Sequence, residues 1–455
     1  MTDLAWINFF LYTIGVILII TFSSFTYISI NEKQKRATTL SFIIFLFSVG
    51  YLFAIRYLPA TVKFSITLLE LFIIVLLTII YFLPSKHKSV DQENPQTRFD
   101  ERDIMFARAR LVPGSKEFNS YYRLRPENYN NDEITRGKPG LFSNKSLYAN
   151  PVLFAAANAS FFMTENLSDA VDGPVNNLQQ KYNISSFTKL IKNVTKYYGA
   201  LNVGITTMRP YHVYSHIGRG SGIYGAPIPV EHKYAIAFTV EMDHALVCTY
   251  PMPQGSMETA KQYVEASRVA VQLAAFIRNL GYTARAHIDG NYRVIAPLVA
   301  RDANLGEIGR MGLLITPHEG PRVRIGVVTT NMELFPDPRK VDHSIIEFCE
   351  ICKKCAENCP SRSIPFESQK IIDGAKRWKI NSDTCFRYWN VAGTDCGVCV
   401  RVCPYSHPNN ILHNFIRLLI RRNHVLRKIV YQLDRLFYGR SPLKHRPPNW
   451  LKDCP

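Results

Sequence analysis

Eight of the ten cysteines in this 455-residue chain fall between Cys349 and Cys403, and no other feature restricts its possible folds so tightly. They form two runs: Cys349-x2-Cys352-x2-Cys355-x3-Cys359 followed by Pro360, and Cys385-x10-Cys396-x2-Cys399-x3-Cys403 followed by Pro404. Two-residue gaps let successive thiolates converge on one cubane, while the fourth cysteine, set apart by three residues and a proline, reaches a second. The spacing therefore predicts two 4Fe-4S clusters in a bacterial-ferredoxin-like domain. One would be held by Cys349, Cys352, Cys355 and Cys403, the other by Cys359, Cys396, Cys399 and, by elimination, Cys385. Structural zinc is the bland alternative, but zinc sites use separated CxxC pairs and not a run of four ending in Cys-Pro. A disulfide scaffold would spread its cysteines through a short secreted chain. Cys248 reads as a small buried hydrophobe and Cys454 as a free thiol.

The chain is too long for one ordinary core and is 47% hydrophobic, which excludes wholesale disorder. Residues 5–31, 39–58 and 62–83 are apolar runs near the ~20 residues that cross a bilayer, and they predict three transmembrane helices. Lys33, Lys35 and Arg36 fill the first loop and Lys86 and Lys88 follow the third helix, against Arg56 and Lys63 in the second loop. The positive-inside rule then places the N-terminus outside and the remainder on the cytoplasmic side of the cell membrane. No twin-arginine pair or cleavable segment precedes the first run. Glu70, inside the third helix, is a candidate for proton or quinone chemistry or for a helix–helix contact. The net charge of +18 calls for an anionic partner without choosing one.

From Ser89 to about Gly140 the composition is that of a polar linker that wraps onto a soluble domain. Strands are predicted at 202–208, 234–242, 282–287, 313–316 and 323–330, and a helix at 257–280, which together specify an α/β layered domain. Gly220-x-Gly222-x-x-Gly225 matches a dinucleotide fingerprint in letters, but Pro227 and Pro229 follow where the phosphate-binding helix should start. That loop, with Ser215, Gly218, Gly220 and Gly222, instead suits close backbone approach to a bulky cofactor. Residues 411–438 read as a basic amphipathic helix, lying on anionic lipid or packed with a solvated basic face.

The soluble part resembles the reductive dehalogenases, corrinoid iron–sulfur enzymes that remove halide from organohalides. The stretches that carry the resemblance are Phe99–Arg108 (FDERDIMFAR), Val213–Arg219 (VYSHIGR), Phe276–Tyr282 (FIRNLGY), Leu305–Pro317 (LGEIGRMGLLITP), Gly320–Arg324 (GPRVR) and the double cysteine block. It covers about residues 97–410. Epoxyqueuosine reductase is similar in cofactors and core.

The resemblance implies a base-off cobalamin in a nitroreductase-like core, fed by the nearer cluster. It also implies a tyrosine proton donor beside a basic residue. These map to Tyr263, with Thr259 one helical turn earlier, and to Arg322, with Arg324 as the alternate; Asn291 matches a pocket asparagine. A phenol with a pKa of about 10 is a poor acid, and a neighbouring guanidinium would lower that value and stabilise the phenolate. On spacing alone Tyr263 is equally an ordinary core aromatic and Arg322 a salt-bridge partner.

The resulting division is a membrane anchor at 1–88, a linker at 89–150, a corrinoid-binding α/β domain at 151–340, a ferredoxin-like domain at 341–410 and a basic tail at 411–455. The expected partners are a small organohalide, a membrane-linked donor (quinol, ferredoxin or flavodoxin) and the lipid bilayer, with no nucleic acid. The competing functions are a corrinoid reductase of a non-halogenated substrate such as a modified nucleoside, and a non-enzymatic electron relay.

Overall fold

The computed structural model describes residues 2–84, 94–442 and 447–451, so Lys86, Lys88, the start of the polar linker and Cys454 lie outside the described residues. The chain forms two compact units, Met1–His87 with Asn409–His445 and Lys88–Pro408 with Arg446–Pro455.

In the first unit, helices α1 (Thr2–Asn31), α2 (Lys35–Tyr57) and α3 (Ala60–Phe82) are each long and apolar enough to cross a membrane. Lys63 is not a loose loop charge, because its ammonium donates to Asn8 Oδ1 at 3.0 Å and the residue is buried. Glu70 accepts a hydrogen bond from Tyr51 at 2.6 Å, which ties α3 to α2. The single amphipathic helix expected at 411–438 is two helices, Ile411–Arg422 and His424–Tyr438. Asn423 breaks it: its side-chain oxygen caps the second helix by accepting from Leu426 N, while its amide donates to Ile80 O at the end of α3. These residues pack with α1–α3 as one unit and not as a free tail.

In the second unit, four strands, β1 (Asn202–Thr207), β2 (Tyr234–Glu241), β3 (Ala284–His287) and β4 (Val323–Thr330), form an antiparallel sheet in the order β1-β2-β4-β3. Strand pleating sends Ile236, Phe238 and Val240 to one face and Ala235 and Ala237 to the other. The first face is covered by the long helix α4 (Pro253–Asn279), whose Ala266, Val269, Ala270, Leu273, Ala274 and Ile277 recur at helical spacing. Each large side chain so buried contributes about 1.5–3 kcal/mol. Val299 and Ala300, on the short helix Ala296–Asp302, cover the opposite face. The glycine-rich segment after Ser215 leads through Pro227 and Pro229 into β2 and not into a helix, so no dinucleotide-binding turn forms there.

Candidate functional site

The cysteines reach their places on short elements with sharp turns between them. Cys349 and Cys352 end the helix His343–Cys352; Lys353, at φ 55°, turns the chain so that Cys355 follows at once. Cys385 lies on the helix Ser382–Ala392, and Cys396 and Gly397 adopt left-handed conformations ahead of Cys399. None of the eight is in a disulfide, and five of them are buried. Burial and, after it, the neighbouring sulfurs push two of these thiols up: Cys355 is affected by Cys349, Cys403 and Cys352, while Cys399, pushed to about 12, is affected by Cys385 and Cys359. Cys399 also affects Cys355. A cluster of thiols held in a place that disfavours thiolate is the donor set an iron–sulfur centre requires, because the cationic metal offsets the penalty.

The LGEIGR stretch acquires its meaning here. Arg310 is fully buried and donates to Cys349 O at 3.0 Å, Pro365 O at 2.8 Å and Glu367 O at 2.6 Å, while stacking over Trp378. At Gly309 a Cβ would lie 2.4 Å from Ile315 Cδ1 and 3.5 Å from the Cys349 sulfur, so a larger residue there would have to displace the Ile315 side chain.

Tyr263 is partly buried on α4, one turn beyond Thr259. The guanidinium over its ring, 5.0 Å from the centroid, belongs to Arg324 on β4. Arg324 donates to Thr259 Oγ1 at 2.9 Å and lies 3.7 Å from Asp395. Asp395 in turn accepts from Ser256 at 2.6 Å, Thr259 at 2.7 Å and Tyr250 at 3.2 Å, and it immediately precedes Cys396. Hydrogen bonds thus join the cysteine loop through Asp395 and Thr259 to Arg324, whose guanidinium covers the tyrosine ring.

Two expectations are corrected. Arg322 is not the tyrosine's partner; it sits ahead of β4 after a tight turn, and its buried guanidinium donates to Ser406 O at 2.6 Å, Met242 O at 2.7 Å and Glu241 at 3.0 Å. The Tyr263 pKa is raised overall, because burial outweighs the opposing pull of Arg324. Arg324 itself is pushed up, since Tyr263, Tyr250 and Asp395 outweigh its desolvation, and it remains a cation.

The glycine-rich segment folds back on itself, with Ile217 N donating to Ala226 O and Gly225 N to Ile217 O. Ser215 N donates to Phe99 O, and its hydroxyl bonds the His216 ring. Glu101, fully buried, accepts from Gly218 N at 2.8 Å and from Arg219 N and Nε at 3.2 Å. Gly220, at φ +76°, lies so near Asn291 that a Cβ would be 2.5 Å from its Oδ1, whereas Gly222 turns through φ +100° against Ile217. Asn291 is fully buried; it donates to Ser168 Oγ at 2.9 Å and accepts from Arg285 at 2.8 Å, so it braces this loop.

Beyond the loop a cavity of ≈ 460 Å³ is lined by Arg285, Arg293, His232, His287 and Thr329, among others. His287 Nδ1 accepts from Arg293 N, which leaves Nε2 to donate to Thr329 at 2.9 Å; Thr329 then donates to His232 Nδ1 at 2.7 Å. Burial and Arg285 hold His287 neutral, and burial beside Arg293 lowers Arg285 to about 10. Arg285 Nε is buried and unpartnered. Arg285 is also ion-paired with Asp172, and Asp172 and Glu231 line the cavity beside Arg285 and Arg293, so its wall is of mixed charge.

Glu101, Tyr250, Ser256, Arg310 and Asp395 were not singled out by sequence reasoning. Glu101 and Arg310 fall inside the quoted stretches, and the position of Asp395 beside Cys396 was a usable signal; Tyr250 and Ser256 carry none.

These features define a class: an α/β protein with a 4Fe-4S dicluster unit set beside a tyrosine–arginine pair. Residues 348–407 match the 4Fe-4S dicluster domain family. The chain is 36% identical over 220 residues to the tetrachloroethene reductive dehalogenase of Sulfurospirillum multivorans, covering 47% of this chain and 43% of that one. It is 37% identical over 198 residues to the enzyme of the same name from Desulfitobacterium hafniense, covering 41% and 35%. Among solved structures, a catabolic reductive dehalogenase superposes with a TM-score of 0.63 at 20% identity, over 79% of this chain and 50% of the other, and so shares the fold. Over these stretches the chain is similar to the reductive dehalogenases. It matches less than half the length of these curated relatives.

Proposed function

We propose that the chain is a membrane-anchored, corrinoid- and iron–sulfur-dependent reductive dehalogenase catalysing R–X + 2 e⁻ + H⁺ → R–H + X⁻ on a small organohalide. The observation that carries this reading is the Tyr263–Arg324 pair, linked through Thr259 and Asp395 to the loop that bears Cys396.

Cys349, Cys352, Cys355 and Cys403 would hold one 4Fe-4S cluster, and Cys359, Cys385, Cys396 and Cys399 the other. The backbone at Ser215, Gly218, Gly220 and Gly222, braced by Asn291, would lie against the base-off corrinoid. When bound, the corrinoid supplies the cobalt chemistry that reductively cleaves the carbon–halogen bond. The proton comes from Tyr263 Oη, and Arg324, held by Thr259 and Asp395, stabilises the phenolate until it is reprotonated. The helices α1–α3 would tie the enzyme to a membrane donor such as a quinol, or to a ferredoxin or flavodoxin on the cytoplasmic side, where the loop charges direct it.

The test is metal and corrinoid analysis of protein purified anaerobically, followed by a halide-release screen. Cobalt, iron and halide release are expected together, and Tyr263→Phe keeps both cofactors while losing release. Iron without cobalt points to the electron relay, and both cofactors without halide release from any organohalide point to another substrate class.

A further inference from the structure

The two C-terminal helices, α5 (Ile411–Arg422) and α6 (His424–Tyr438), bury charged side chains together with Ile420, Leu426, Val430 and Phe437, and still leave a further apolar stripe outside. A helix that faces water buries its apolar stripe and exposes its charges. Here α5 buries His413 and Arg417, and α6 buries Arg427 and Asp434, all at 8% exposure or less. The outward faces carry Ile411, Phe415 and Leu418 on α5, at i, i+4 and i+7, and Val425, Leu433 and Leu436 on α6. Ile411 is 90% exposed and Phe415 54%. Three of the inward polar groups have recorded partners: Arg417 donates to Asn414 at 2.9 Å, Arg427 to Ile420 O at 2.9 Å, and His413 pairs with Glu32 at 2.7 Å.

The hairpin is fixed at one end of the α1–α3 bundle. Arg422 donates to Tyr81 O at 2.9 Å and stacks over the Tyr81 and Phe82 rings, and Asn423 bonds Ile80 O, so α5 and α6 meet at the last turn of α3. Arg36, in the first turn of α2, donates to Leu436 O, and Phe437 packs on Phe25 of α1. This is the end that bears Lys33, Lys35 and Arg36. The hairpin adds exposed Arg421, Arg422 and Lys428 and half-buried Arg435 to the same rim.

Resting on the proposal that α1–α3 span a bilayer, we infer that α5 and α6 form an interfacial hairpin seated in the anionic leaflet around the bundle. Ile411, Phe415, Leu418, Leu433 and Leu436 enter the acyl boundary, and Arg421, Lys428 and Arg435 meet lipid phosphates. Outward apolar stripes anchored at the ends of spanning helices lie at headgroup depth by continuity, and a basic rim at that depth selects anionic headgroups. The guanidinium forks suit phosphate oxygens.

The full chain, with Phe415 or Leu436 replaced by benzoylphenylalanine, is reconstituted in nanodiscs of phosphatidylcholine and phosphatidylglycerol at 3:1 and photolysed, and lipid adducts are read by mass spectrometry. Phe72 on α3 and Ile371 in the cluster-bearing unit serve as spanning and aqueous controls. Adducts are expected at 415 and 436 as at 72, absent at 371, and enriched at least twofold in phosphatidylglycerol over its share. The Arg421→Gln, Lys428→Gln, Arg435→Gln triple variant should lose that enrichment. Adducts at 72 but not at 415 or 436 overturn the interfacial hairpin and leave the anchor standing; adducts at none of the three overturn the anchor itself. Adducts in bulk proportion overturn the anionic preference.

Discussion

Replacing Arg324 by glutamine removes the cation above Tyr263 while leaving Asp395 its hydrogen bonds from Ser256, Thr259 and Tyr250. The guanidinium lies 5.0 Å from the ring centroid. At an effective dielectric constant of about 20, two unit charges at that separation interact by about 3 kcal/mol, or roughly two pKa units. Burial already raises the phenol's pKa, so the phenolate left by proton transfer depends on this cation. Arg324→Gln is expected to lower the turnover number about 100-fold, with a smaller change in KM and with the iron and corrinoid content retained. A double-mutant cycle isolates the effect, because in a Tyr263→Phe background the arginine has no phenolate to stabilise and its replacement should cost little, leaving a coupling of about 3 kcal/mol. Steady-state halide release under anaerobic conditions gives all four rates. Additive losses, or an Arg324→Gln enzyme as fast as wild type, would refute the proton-donor pair.

Arg322→Gln should act on stability instead: the carbonyls of Ser406 and Met242 lose a buried cationic donor, at a cost of about 2–4 kcal/mol, seen as a lower melting temperature. Cys385→Ser is expected to lower iron content by about half, because only one of two clusters loses a ligand; unchanged iron would remove Cys385 from the ligand set. Gly220→Ala forces a side chain into φ +76° and against Asn291, so corrinoid retention should fall while iron is unchanged. Asp302, buried with His212 Nε2 at 2.8 Å and Tyr211 at 2.7 Å, has its pKa depressed mainly by its bonds from His212 and Arg301, against the opposing effect of burial. A depressed carboxylate stabilises above its unfolded pKa of about 3.9 and loses that contribution as pH falls. Asp302→Asn should therefore cost about 3 kcal/mol or more at pH 7, and the gap in melting temperature from wild type should narrow below about pH 4.

The elements whose periodicity is set by burial were legible in the sequence. The run 323–330 lies in the middle of a sheet and α4 carries an unbroken apolar stripe, so the hydrophobic pattern alone locates both. The cysteine spacing was legible because cluster ligation imposes it. What failed depended on which of two equivalent residues a turn brings to a site. Arg322 and Arg324 differ only in that one falls in the turn after Gly320 and meets carbonyls, whereas the other falls on the strand opposite Thr259. The break at Asn423 was hidden because both halves of 411–438 keep helical spacing, and only the contact with Ile80 shows why an asparagine stands between them. Tyr250 and Asp395 are 145 residues apart, and a one-dimensional pattern has no means of pairing them.

The first compact unit joins two segments far apart in sequence, Met1–His87 and Asn409–His445. At a synthesis rate of about 5–20 residues per second, the roughly 320 residues between those segments take on the order of 15–60 s to emerge. The three apolar helices must therefore leave the ribosome and wait for their last two companions, while the cofactor-bearing portion has that interval in which to fold. Quality control would fall out of translation order, since a nascent chain stalled before Asn409 could never complete its base.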